Sequence, residues 1–396
     1  MNMRENYLAR IRPLIAEPMV KVLTGLRGSG KTSLLQMVQN ELLDAGISAD
    51  NIIYLNLELM QTSDVNNDKR LLSYLKYRMV SSGMHFVFLD EIQAVSQWQQ
   101  AVAELADDAE CDLYLAASDT ARIVAQLTEV IPGRFAEIRV TPLSFAEYCT
   151  MNQLSAPDQA AEYLSRGGLP ILHGIADPAT ADQICLGLYH SILYHDVVLH
   201  NHIRDAELLN RIIRFVMTNV GKIYAVRSIG SYLKGRGQQA SAETIANYIR
   251  AMEEAGLIFR VPRYDLKAGT VLHNNVKYYL ADHGLLQAIT GLKGRNSSGI
   301  LQNTVFVELN RRGYQVYTGK KGSESIDFAA KKNGSFILIQ ILERTHEAMI
   351  QKAIESLKKS KQKAACFIIA RDAFPCHEVD GISCLNIVDF LLSEQI

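Results

Sequence analysis

The chain has 396 residues, enough for two or three domains at about 150 residues each. Hydrophobic residues make up 48% and charged residues 21%, with 41 basic and 42 acidic side chains and a formal net charge of −1; this excludes wholesale disorder, a collagen-like repeat and a coiled-coil rod. No apolar run reaches the length of about 18 residues that a spanning helix needs, the charged first residues lack an apolar signal core, and the six cysteines are scattered, so a cytoplasmic chain with reduced thiols and no membrane partner is expected.

In chain order, residues 20–24 (Val-Lys-Val-Leu-Thr) read as a short apolar strand, followed by a Gly-rich turn and a helix over about 31–45 with Gly46 at its C-terminus. Strands are expected at 51–57, 85–89, 112–117 and 135–140, with a helix over about 68–80. The strand at 85–89 is apolar throughout, as in a parallel sheet covered on both faces. Strands that alternate with helices give an α/β fold with a parallel sheet. Beyond Pro142 the pattern becomes helical over 144–205, broken at Gly167-Gly168-Leu169-Pro170. Residues 206–265 read as a small helical unit ending in a hairpin, with a helix over about 242–255. Residues 266–295 read as irregular and Gly-rich. From Leu301 a helix is followed by strands at 315–318, 326–331 and 336–342, a helix at about 346–359 and a strand at 365–370. The charge is uneven: residues 1–148 carry 13 basic and 19 acidic side chains, whereas residues 206–265 carry nine and five.

Gly25-Leu26-Arg27-Gly28-Ser29-Gly30-Lys31-Thr32 matches G-x-x-x-x-G-K-[ST] between an expected strand and an expected helix, the context that motif requires. The glycines let backbone N–H groups curl around phosphate oxygens, and the helix N-terminus adds a favourable dipole. Lys31 would reach the β- and γ-phosphates and Thr32 would hold Mg²⁺, with Arg27, Ser29 and Ser33 completing the nucleotide-binding stretch. A nucleoside triphosphate and Mg²⁺ are the expected cofactors. The strand at 85–89 runs into Asp90-Glu91. Asp90 would support Mg²⁺ and Glu91 would polarise the attacking water. Ser118-Asp119, at the tip of the fourth strand, offers a side chain that would sense the γ-phosphate or cap the next helix. Arg134, ahead of the fifth strand, would act in trans on the nucleotide of a neighbouring copy or simply occupy a surface turn.

These residues resemble the bacterial and archaeal AAA+ ATPases whose C-terminal half is a domain of unknown function. The resemblance rests on Lys21–Gly25 running into the P-loop, on Phe88-Leu89-Asp90-Glu91-Ile92-Gln93 with Trp98 downstream, and on Pro132-Gly133-Arg134-Phe135. It also rests on Pro142–Tyr148, Gly167–Pro170, Lys277–Gly284 and Ile326-Asp327-Phe328. It implies an AAA+ core at 1–148, a helical lid at 149–205, a winged-helix-like segment with linker at 206–299 and an α+β nuclease-like domain at 300–396. The family often has Thr-Gly-Ser-Asn at the fourth-strand tip, where this chain has Ala116-Ala117-Ser118-Asp119.

A metal-dependent nuclease of that class needs an acidic pair and a lysine. Glu308 and Asp327 are the candidate acids, but Gln340-x-Leu342 stands where an active enzyme would carry Glu-x-Lys, so an inactive scaffold is expected. The expected helix over 242–255 offers Asn247, Tyr248 and Arg250 beside acidic Glu253 and Glu254, a poor surface for DNA bases, while Lys234, Arg236, Arg260 and Arg263 flank it. The Lys-rich stretch 352–363 reads as a solvated helix end. The function expected is an ATPase that couples Mg-ATP hydrolysis to conformational change on a protein client, with DNA and a second copy of the chain as further candidate partners. The alternative is a nucleotide-dependent DNA-binding or signalling switch with little turnover.

Overall fold

A computed structural model describes residues 4–59, 65–118, 120–152, 156–290, 297–322, 324–360 and 364–393. Asp119, Lys361 and Lys363 lie outside the described residues. The chain divides into two compact units, Met1–Pro142 with Glu254–Gly256, and Leu143–Glu253 with Leu257–Ile396. No helix among the described residues is long and apolar enough to cross a membrane.

The first unit is built on strands β1 (Val20–Thr24), β2 (Ile52–Asn56), β3 (His85–Asp90), β4 (Cys111–Ala117) and β5 (Phe135–Arg139), ordered β2-β3-β4-β1-β5 with every neighbouring pair parallel. Alternate residues of each strand feed opposite faces. On one face Val22, Leu55, Val87 and Leu115 pack with Leu71, Leu75, Trp98, Val102, Ile123 and Leu127, which come from the helices Asp68–Arg78, Trp98–Ala106 and Thr120–Val130. On the other, Leu23, Phe88, Tyr114 and Ile138 pack with Leu8, Ile11, Leu34, Leu35 and Val38 of the helices Glu5–Ile11 and Lys31–Asp44. Phe88 and Tyr114 stack there with ring centroids 4.5 Å apart. All six residues of β3 are buried, as its unbroken apolar run requires. The register pairs Asn56 with Asp90, Asp90 with Ala116, and Thr24 with Ala117, so four strand tips stand level along the C-terminal edge of the sheet.

β1 and β4 also share a buried charge pair. Lys21, fully buried in β1, donates to Asp112 and to the Glu17 carbonyl. Asp112 accepts in turn from Tyr114 OH (2.8 Å) and the Ala16 N–H (2.9 Å), so every member of the network is satisfied.

The second unit begins with the helices Phe145–Asn152, Ala156–Arg166 and Pro178–Ser191, the last continuing as a π-helix over Ile192–Leu199. The break at Gly167-Gly168 is enforced by Asp282: its buried carboxylate accepts from the N–H groups of Gly168 and Gly284 at 2.7 Å, and a Cβ on Gly167 would come within 2.0 Å of it. The helices Ala206–Thr218, Val226–Lys234 and Ala242–Glu254 then precede a hairpin of β6 (Ile258–Asp265) and β7 (Thr270–Leu280). The hairpin is not free-standing, because β6 also pairs in parallel with β8 (Gln315–Lys321). With β9 (Glu324–Lys332), β10 (Ser335–Leu342), β11 (Ala365–Ala370), β12 (Glu378–Val379) and β13 (Ile382–Asn386) the strands form one sheet ordered β12-β13-β11-β10-β9-β8-β6-β7. The expected border at 299/300 therefore falls inside this unit.

One expectation is corrected. Residues 266–290 are not irregular: they contain the eleven-residue β7 and the helix Gly284–Thr290, while residues 291–295 lie outside the described residues. The outer half of β7 sets half-buried Val271 and Leu272 among exposed Thr270, His273 and Asn274 and carries no alternation. It is held as a strand by its pairing with β6, a tertiary contact that overrides local propensity.

Lys21→Met would leave Asp112 as a buried charge without its counter-ion. It is expected to lower unfolding free energy by about 3–5 kcal/mol. Urea titration of the parent and the variant tests this; a loss below about 1 kcal/mol would contradict it.

Candidate functional site

The loop between β1 and the helix Lys31–Asp44 is shaped by its glycines. Gly25 has φ 142°, and a Cβ there would lie 2.1 Å from the Val140 carbonyl oxygen, so no other residue fits without displacing backbone. Gly28 (φ 81°) and Gly30 (φ 97°) take left-handed conformations, and Gly30 stands directly ahead of the helix. A loop of this mixed hand presents backbone N–H groups to an anion at a helix N-terminus. Ser29 is fully buried and its Oγ has no hydrogen-bond partner, whereas Ser33 is exposed on the first helical turn.

The side chains at the strand tips converge on this loop. The Lys31 ammonium is buried and donates to the carbonyls of Gly25 (3.0 Å) and Leu26 (3.3 Å) and to Ser118 Oγ (3.2 Å). Thr32 Oγ1 donates to Asp90 Oδ2 at 2.6 Å, and the same oxygen accepts from Tyr54 OH (3.1 Å) and Asn56 Nδ2 (3.5 Å). Asp90 Oδ1 is buried with no partner at all. Burial pushes the Asp90 carboxyl above the usual carboxylate range, opposed by the bond from Thr32. Burial and the neighbouring Asp90 charge push Tyr54 up to about 12.

Glu91 follows at φ 54°, a left-handed conformation that strains a side-chain-bearing residue and turns the chain into the short helical turn Ile92–Ala94. Its carboxylate accepts from Ser118 Oγ (3.1 Å) and from the Gln93 amide, and lies 3.9 Å from both Lys31 Nζ and an Arg27 nitrogen. Arg27 itself pairs with Glu58 at 2.6 Å. Ser118 thus bridges Lys31 and Glu91.

Arg134 stands elsewhere. It precedes β5, whose first residue pairs with Val20, so it sits at the N-terminal end of the sheet. The length of β1, about 13 Å at 3.3 Å per residue, separates that end from the loop. Its guanidinium is half-exposed and pairs with Asp107 at 2.5 Å.

The two acids expected in the second unit are not brought together as a metal site. Glu308 is buried and held by Arg311 and Arg312, one turn further along its own helix. Asp327 lies 3.3 Å from the buried Lys277 ammonium and accepts from the Ile341 N–H (3.0 Å), while Gln340 accepts from the Asp327 N–H (2.8 Å). Among the described residues no group of three or more His, Cys, Asp or Glu side chains is placed to hold a metal.

Sequence reading overlooked Tyr54, Asn56, Glu58, Gln93 and Arg4. The signal for the first three was their position at the tip of the strand that pairs with β3. For Arg4, whose guanidinium reaches the Ser29 carbonyl, no local pattern pointed to the loop.

Comparison with known proteins bears on the family and the fold. The AAA domain family matches residues 17–149, and a domain of unknown function (DUF8612) matches residues 157–296. An uncharacterized protein of Haemophilus influenzae is 32% identical over 98% of both chains. The uncharacterized protein MJ1544 of Methanocaldococcus jannaschii is 25% identical over 86% of this chain and 78% of its own length. Among solved structures, a Walker-type ATPase of Pyrococcus abyssi is similar in fold, with a TM-score of 0.53 and 15% identity over 73% of this chain and 95% of its own.

The raised Asp90 carboxyl makes a signed prediction. Because its pKa is higher folded than unfolded, ionised Asp90 costs stability above the folded pKa, and that cost disappears as pH falls through it. Asp90→Asn is expected to raise the unfolding temperature of the nucleotide-free protein at about pH 8, with the advantage shrinking toward about pH 4. Thermal melts across that range test it; a lower melting temperature for the variant at the alkaline end would contradict it.

Proposed function

This chain belongs to the same family as the Haemophilus influenzae protein and carries an AAA domain with a P-loop, and on that premise we propose that it binds Mg-ATP and hydrolyses it to drive a conformational change on a protein client. The observation that carries the reading is Asp90: a buried carboxylate bonded to Thr32 of the P-loop helix, with its second oxygen unpartnered. A hard, oxygen-seeking cation suits that donor set, and Thr32 Oγ1 and Asp90 would hold it. Magnesium bound there supplies charge neutralisation for the phosphate oxygens.

The remaining roles belong to the chain itself. The N–H groups of the 25–32 loop cradle phosphate, and Lys31 moves its donors from the loop carbonyls to phosphate oxygens. Glu91 holds the attacking water and accepts its proton as the new bond to the γ-phosphorus forms and the bond to the ADP oxygen breaks. Ser118, in contact with both Lys31 and Glu91, is suited to report which phosphates are bound. Arg134 lies too far from its own loop to serve it, and its exposure supports a role on the nucleotide of a neighbouring copy.

A second reading, a nucleotide-dependent switch on DNA, is favoured by exposed Lys234 and Arg236 at the end of the helix Val226–Lys234 and exposed Arg260 and Lys267 in the β6–β7 hairpin. Adding duplex DNA to the turnover assay separates the two: stimulation favours DNA, indifference a protein client.

Glu91→Gln is expected to retain ATP binding and to cut turnover by about a hundredfold or more; phosphate release at the parent's rate would remove Glu91 from its role. Arg134→Ala is expected to lower turnover only at concentrations where copies associate. An equal loss in dilute, monomeric protein would contradict action in trans.

A further inference from the structure

Arg4 is a cation outside the loop, 5% exposed, beside the N-terminal helix Glu5–Ile11. Its guanidinium donates to the Ser29 carbonyl inside the P-loop and, at 2.9 and 3.0 Å, to the Thr141 carbonyl. The plane lies over the Tyr7 ring, 5.1 Å from its centroid, and Tyr7 OH bonds both Thr141 Oγ1 (2.9 Å) and the Thr141 N–H (3.1 Å). The preceding residue, Val140, donates its N–H to the Thr24 carbonyl at 2.7 Å and presses its own carbonyl against Gly25. The segment Val140–Thr141 therefore clasps the loop at both ends, directly at Gly25 and through Arg4 at Ser29.

We propose that Arg4 is a positioning residue for the phosphate site: by holding the Ser29 carbonyl outward it turns the Gly30 N–H into the loop. This deepens the Mg-ATP reading and rests on it. In a planar trans peptide the carbonyl and the following N–H point in opposite directions, so fixing one fixes the other. Gly30, at φ 97°, has no side chain to restrict that peptide, and the restraint must come from outside. A guanidinium suits the task because its rigid fork grips two carbonyls at once, and burial strengthens both bonds. The same bridge ties the loop to the last residues before the chain passes, at Pro142–Leu143, into the second unit.

The test compares the full-length parent, Arg4→Ala and Arg4→Lys by equilibrium titration with Mg-ATP and, separately, with inorganic tripolyphosphate and Mg²⁺. Amide hydrogen exchange is followed without any ligand. Arg4→Ala is expected to weaken both ligands by about tenfold or more and to speed exchange at residues 28–31 while β3 stays protected. Arg4→Lys, which can grip only one carbonyl, is expected to fall between. Parent-strength binding by either variant overturns the role. So does a loss confined to ATP and absent for tripolyphosphate, which would make Arg4 a contact for the base or sugar. A parent that binds neither ligand overturns the nucleotide-site reading along with it, whereas a parent that binds and variants that do not differ from it overturn only the role of Arg4.

Discussion

A carboxylate withdrawn from water is costly unless its oxygens are met, and Asp90 meets that condition on one side only. Oδ2 takes Thr32, Tyr54 and Asn56 as donors, while Oδ1 takes none. The first unit is arranged so that this half-satisfied group stands at the foot of the P-loop. β3 must be fully buried to bring Asp90 to the sheet edge. β2 must pair beside it to present Tyr54 and Asn56, and the helix after β1 must begin at Lys31 so that Thr32 lies in its first turn. An acceptor buried without a donor is rare in folded proteins, and where one survives it marks a place where an unbalanced charge has a use.

The same economy governs the layer above the sheet. Two cations, Lys31 and Arg27, face two carboxylates, Glu91 and Glu58, with Ser118 between Lys31 and Glu91. Such a cluster has its charges matched within itself, so on the proposed function an incoming polyanion would gain its hold on Lys31 only by loosening bonds already made. Glu91, in a strained backbone conformation and gripped by Ser118 and Gln93, would be released by the same exchange. Coupling between phosphate binding and the freedom of Glu91 follows from these shared donors without any long-range rearrangement.

Much of the first unit was legible because its chemistry is local. Glycines at fixed offsets, a lysine at the helix start and an acidic pair closing an apolar strand are all visible in one dimension. Arg4 was not legible, since nothing in its neighbours indicates a partner 25 residues away. Tyr54 and Glu58 required knowing that β2 pairs with β3. The second unit is less legible, because its elements depend on tertiary pairing. The outer half of β7 lacks alternation and is a strand by virtue of its partner, and β13 and the helix Ile387–Leu392 are too short to carry a periodic pattern. Glu308 was paired with Asp327 on the strength of a resemblance, although Arg311 and Arg312 at helical spacing already announced its partners.

On the proposed function the 25–32 loop, Thr32 and Asp90 form one Mg-nucleotide site. Calorimetric titration of ATP into the purified chain, with Mg²⁺ and then with a chelator, tests it most directly. One site per chain is expected, which weakens sharply without Mg²⁺ and is lost in Lys31→Ala, with Lys31→Ala otherwise folded. Binding that ignores Mg²⁺, or that survives Lys31→Ala unchanged, would contradict it.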